Sequence, residues 1–130
     1  MREWGESGPW LRIRARPDPG KSENRDAVAA EVAGLARLRE LGFKPLPFYR
    51  WGSTSWSSGV RSPHGQRVPL DLREAYQRGF AYGKTYGAVV AGFEIENEPD
   101  ISFVEENAET YMAYQKAVYL GLKRGSEGVR

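Results

Sequence analysis

The chain has 130 residues, 40% of them hydrophobic, 28% charged and 12% aromatic, a composition that fits one folded domain rather than a disordered or fibrous chain. It has no cysteine and a single histidine, His64, which excludes disulfide frameworks, thiolate or multi-histidine metal sites and a cysteine nucleophile, and leaves acid–base catalysis chiefly to carboxylates. The net charge of +2 is uneven, with +6 over 1–84, −7 over 85–115 and +3 over 116–130, and the cations form no block, so nucleic acid is not expected as a partner. No apolar run approaches the roughly 20 residues that span a bilayer, and no signal-peptide core is visible, so the expectation is no membrane contact and a cytoplasmic location by default.

Trp10, Leu11, Ile13 and Ala15 alternate with Arg12, Arg14 and Arg16 ahead of the turn signal Pro17-Asp18-Pro19-Gly20. That period of two predicts a first strand. Val28, Val32, Leu35, Leu38 and Leu41 then recur at helical spacing, with Asn24 as N-cap and Gly42 as stop, which predicts a helix over 24–41. The stretch from Phe43 to Trp51 reads as a second strand, although Pro45 and Pro47 each remove a ladder donor.

The segment 52–69 is rich in Ser and Gly and has no periodicity, the signature of a long loop on a functional rim. Asp71 with Glu74 three residues on has capping-box spacing, and Leu72, Tyr76 and Phe80 carry a helical face to about Tyr86. Ala88 to Ile95 is a nearly continuous apolar run ending in Glu96-Asn97-Glu98-Pro99-Asp100, the pattern of a buried strand with an acidic C-terminal end. Ala108, Tyr111, Met112, Gln115, Val118 and Leu122 predict a last helix reaching about Arg124. The expected order is βαβαβα, an α/β fold with parallel strands.

In such folds the chemistry sits at the C-terminal ends of the strands, here at Trp51 with its loop and at Glu96 to Asp100. Alternation along the third strand puts Glu94, Glu96 and Glu98 on one face and Phe93, Ile95 and Asn97 on the other. Carboxylates crowded together disfavour full ionisation, which suits a general acid at neutral pH, while Arg12, Arg14 or Arg16 on another strand can hold one of them ionised. Glu94 is more simply a structural carboxylate paired with an arginine than a catalytic one. Trp51 and Trp56 offer ring faces for stacking, or ordinary packing surface. His64 reads as a solvated loop residue and the glutamates at 105, 106 and 109 as a helix-start charge bias. No pattern calls for a cofactor or a metal.

The stretch Gly92-Phe-Glu-Ile-Glu-Asn-Glu-Pro-Asp100 resembles the fourth-strand signature of the clan A glycoside hydrolases. Leu38-Arg-Glu-Leu-Gly-Phe-Lys-Pro-Leu-Pro-Phe48 is similar to the helix-to-third-strand passage of glycoside hydrolase family 39, and the resemblance extends over about 25–124. It implies a (β/α)8 TIM barrel of which 1–130 is an incomplete domain holding about three βα units, the second to the fourth. It implies a retaining O-glycosyl hydrolase in which Glu98 protonates the glycosidic oxygen and then activates water, while Asn97 binds the sugar 2-hydroxyl. Its nucleophile comes from the seventh strand, beyond the three expected here, about 5 to 5.5 Å from the acid/base. Substrate contacts are expected from Asn97, Trp51, Trp56 and Glu96, the last of which stands where these families often have Trp. Open strand edges further imply self-association. Two other readings stand beside it: a non-catalytic glycan-binding half-barrel, and an unrelated small α/β interaction domain.

Overall fold

The computed structural model describes residues 8–14, 17–49, 71–95 and 108–127. Within these the chain is mixed α/β: β1 (Trp10–Arg14), a 3-10 turn (Ser22–Asn24), α1 (Arg25–Glu40), β2 (Lys44–Tyr49), α2 (Leu72–Tyr86), β3 (Glu94–Ile95) and α3 (Ala108–Ser126). The three strands form one parallel sheet in the order β1-β2-β3. The expected βαβαβα order and parallel pairing are therefore present.

The central strand accommodates both of its prolines because of where they point. The Lys44 N–H donates to the Pro9 carbonyl at 2.9 Å on the β1 side, so Lys44, Leu46 and Phe48 direct their backbone groups toward β1. Pro45 and Pro47, one residue out of phase, direct theirs toward β3. The missing donors therefore weaken only that ladder. Among the described residues β3 accordingly pairs with β2 at Phe48↔Glu94 and Tyr49↔Ile95, preceded by a bond from Ala91 N–H to the Pro45 carbonyl at 2.9 Å. Among the described residues the third strand is thus Glu94–Ile95 rather than running from Ala88, and a turn over 87–89 takes the place of its expected start.

Helix α1 ends where expected. Gly42 adopts φ 86°, its N–H donates to the Arg39 carbonyl at 2.9 Å and the Phe43 N–H to the Leu38 carbonyl at 3.0 Å, a complete Schellman turn that needs a residue without Cβ strain. The other end differs from expectation. Asn24 makes no side-chain cap, because its amide donates to the Asp18 carbonyl at 3.0 Å and its backbone belongs to the 3-10 turn. In α2 the cap is as expected: the Asp71 carboxylate accepts from the Arg73 and Glu74 N–H groups at 2.9 and 3.3 Å.

The core gathers Leu35 of α1, Ala75, Tyr82 and Tyr86 of α2, Val90, and Tyr114, Val118 and Leu122 of α3, with Ile13 of β1, Ile95 of β3 and Phe93 just before β3 packed against them. All three helices therefore lie on the Ile13/Ile95 face of the sheet. The expected α2 face of Leu72, Tyr76 and Phe80 is not the buried one, since Leu72 and Phe80 are exposed and the inward face is Ala75, Gly79, Tyr82, Gly83 and Tyr86. Glycines explain the shift. A methyl at Gly79 would lie 2.5 Å from the Val118 carbonyl oxygen, and methyls at Gly83, Gly121 and Gly125 would overlap backbone of the facing helix, so α2 and α3 cross backbone to backbone. Among the described residues no helix is long and apolar enough to cross a membrane.

A buried polar tie fastens the loop after β1 to α2. The Asp18 carboxylate accepts from the Arg78 guanidinium at 2.8 Å and from the Gly20 N–H at 2.9 Å, and the Tyr86 hydroxyl donates to the Pro17 carbonyl at 3.0 Å. Burial pushes the hydroxyl pKa values of Tyr82 and Tyr86 well above the ordinary phenol range, with the negative charge of Asp18 adding to both and that of Glu31 to Tyr86.

Candidate functional site

The sheet face opposite the helices carries Trp10, Arg12 and Arg14 from β1, Lys44, Leu46 and Phe48 from β2, and Glu94 from β3. Alternation puts these side chains on one side, and with no described helix above them Trp10 is 57% exposed. Aromatic rings here support cations: the Lys44 Nζ lies 5.6 Å from the Trp10 ring centre and the Arg12 guanidinium carbon 4.5 Å from that of Phe48.

Glu94 closes this row. Its two carboxylate oxygens accept from the Arg12 Nε at 2.7 Å and from a terminal guanidinium nitrogen at 2.9 Å, across the intervening strand β2. Those hydrogen bonds, with the Arg12 charge, hold Glu94 below the usual carboxylate range against a smaller opposing effect of burial. Glu94 is accordingly an ionised, occupied carboxylate at neutral pH and is not suited to deliver a proton. The strand alternation read from the sequence holds over 93–95, with Phe93 and Ile95 against the core and Glu94 on the opposite face.

The register Tyr49↔Ile95 sets the last described residues of β2 and β3 side by side. The Ile95 carbonyl accepts from the Gln115 amide at 3.4 Å, and the same amide donates to the Tyr111 hydroxyl, so α3 grips the end of β3 immediately before Glu96 in sequence. Trp51, Trp56, Glu96, Asn97 and Glu98, along with His64, lie outside the described residues. The structure therefore brings together the supports that precede the expected site, Arg12, Phe48, Glu94, Ile95 and Gln115. Gln115 was legible only as a member of a helical face, and nothing in the spacing marked it as a partner of the strand end. The Arg12–Glu94 pair was foreshadowed by parity and opposite charge. Among the described residues no group of three or more His, Asp or Glu could hold a metal ion.

The described residues define a parallel α/β unit with one cation-rich and aromatic sheet face that carries no described helix. No family model, no curated protein and no solved structure matches the chain.

Proposed function

We propose that the chain forms the second to fourth βα units of a retaining glycoside hydrolase barrel acting on a carbohydrate, with Glu98 as its general acid/base. The observation that carries this reading is the winding. Three parallel strands follow one another in the order β1-β2-β3 with every described helix on one face. A doubly wound sheet covers both of its faces with helices, whereas a barrel turns one face inward and covers only the outer one. The bare face with Arg12, Phe48 and Glu94 fits a barrel interior.

In this reading Glu98 gives its proton to the glycosidic oxygen as the bond to the anomeric carbon breaks, and a nucleophile carboxylate from elsewhere in the barrel takes that carbon. Glu98 then removes a proton from the water that releases the sugar. Asn97 holds the 2-hydroxyl, Glu96 accepts from a further sugar hydroxyl, and Trp51 and Trp56 present ring faces to the pyranose. Arg12 keeps Glu94 ionised and occupied, which divides the carboxylates at the end of β3 into a structural one and a proton-carrying one.

The test is hydrolysis of a panel of aryl glycosides by the protein as isolated from its source, alongside its Glu98→Gln variant and a glycan-binding measurement on both. Hydrolysis that falls at least about a hundredfold in the variant while glycan binding persists supports the reading. Glycan binding by both proteins with no hydrolysis by either moves the weight to a non-catalytic half-barrel.

A further inference from the structure

Helix α3 carries a second organised stripe that the core does not use. Tyr114, Val118, Gly121, Leu122 and Gly125 face inward, and Glu109, Met112, Lys116, Tyr119 and Lys123 recur at alternating spacings of three and four on the opposite side. All five are exposed, and Met112 and Tyr119 stand out at 64% and 54%, with Leu120 beside them at 45%. Two large apolar side chains at seven-residue spacing on the outside of a helix form the seam of a helix–helix contact. An open groove of about 510 Å³ runs along this side, lined by Ile95, Met112, Ala113, Gln115, Lys116 and Tyr119.

The charges on the stripe select the occupant. Its N-terminal end is acidic at Glu109 and its C-terminal end basic at Lys123, with the apolar residues between and Lys116 at the midpoint. A stripe of that kind is complementary to itself when reversed. We propose that α3 is a homodimerisation surface, on which a second copy of this chain docks its own α3 antiparallel about a two-fold axis at Lys116. Glu109 of each copy then faces Lys123 of the other, and Met112 packs against Tyr119 and Leu120 of the other, as an isologous interface requires. The two Lys116 side chains meet at the axis, where their stems lie on the groove and their ammonium groups reach the rim. The surface is separate from the strand edges, and the inference does not depend on the glycosidase reading.

Sedimentation velocity on the full chain over a range of concentrations, at low and high salt, tests this. A monomer–dimer equilibrium is expected, weaker at high salt. Glu109→Lys and Lys123→Glu each weaken the dimer by about tenfold, because two symmetry-related pairs turn repulsive together, and the double variant restores it. Tyr119→Lys abolishes the dimer, and Lys116→Gln tightens it by removing the like charges at the axis. Circular dichroism verifies that each variant keeps its fold. A chain that stays monomeric throughout overturns the proposal. Association insensitive to the charge swaps, or not rescued by the double swap, overturns it as well and places the contact on another surface such as the open strand edges.

Discussion

Arg12 and Glu94, on the two outer strands of the sheet, are joined by two hydrogen bonds at 2.7 and 2.9 Å that pass over the ring of Phe48 on the strand between them. In the strand register Glu94 is level with Arg14 through Phe48, yet it is the diagonal Arg12 that binds it. The pair therefore clips all three strands across the face that bears no described helix.

Removing the clip has a defined consequence for Glu94. Its pKa is depressed in the folded chain, so the stability it adds is present above the ordinary carboxylate range and is lost as pH falls through the lower folded value. Arg12→Ala is expected to raise the Glu94 titration toward its ordinary range, read by carboxyl NMR. Both side chains are partly solvated, at 47% and 36%, so a double-mutant cycle with Glu94→Gln gives a coupling of only about 0.5–1 kcal/mol.

The helix crossing makes the α2 and α3 glycines sharply different from one on α1. Gly83→Ala or Gly121→Ala forces backbone apart and is expected to cost about 2–3 kcal/mol in urea unfolding, the scale of overpacking. Gly34→Ala in α1 meets nothing within 4 Å and is expected to stabilise the protein by about 0.5–1 kcal/mol through helix propensity.

Asp18 and Arg78 form a different kind of pair from Arg12 and Glu94, with side chains only 18% and 14% exposed. Arg78→Ala leaves a largely buried carboxylate short of its cation and is expected to cost about 3 kcal/mol, while Tyr86→Phe, which removes the bond to the Pro17 carbonyl, costs about 1 kcal/mol. The raised pKa values of Tyr82 and Tyr86 also set an alkaline limit. Their protonated forms contribute fully below the ordinary phenol value of 10.0, and that contribution is lost as pH climbs above it toward the folded values. Unfolding that coincides with the rise of tyrosinate absorbance, and that moves to higher pH in Tyr82→Phe, is the expected result.

Periodicity carried most of the architecture. The alternation from Trp10 to Arg14, the spacing of Val28 to Leu38 and the punctuation by Gly42 and Asp71 each set an element whose ends the structure reproduces to within a residue or two. Two features were not legible. The late start of β3 depends on which way Pro45 and Pro47 point, and that follows from the pairing partner rather than from the prolines themselves. The inward face of α2 is set by Gly79 and Gly83, which carry no hydrophobic signal and matter only because α3 presents Gly121 and Gly125 to them. At the candidate site, opposite charge and parity pointed to Arg12 with Glu94, whereas the Gln115 contact with the Ile95 carbonyl is a tertiary coincidence that no spacing encodes.

The most direct test of the account is the leaving-group dependence of glycoside hydrolysis by the native protein and by Glu98→Gln. A general acid matters most where the departing oxygen is basic, so the variant is expected to lose at least about a hundredfold in kcat/KM on alkyl or phenyl glycosides and far less on dinitrophenyl glycosides. Equal losses on both substrate classes, or no loss on either, would contradict the assignment of Glu98 as the acid/base.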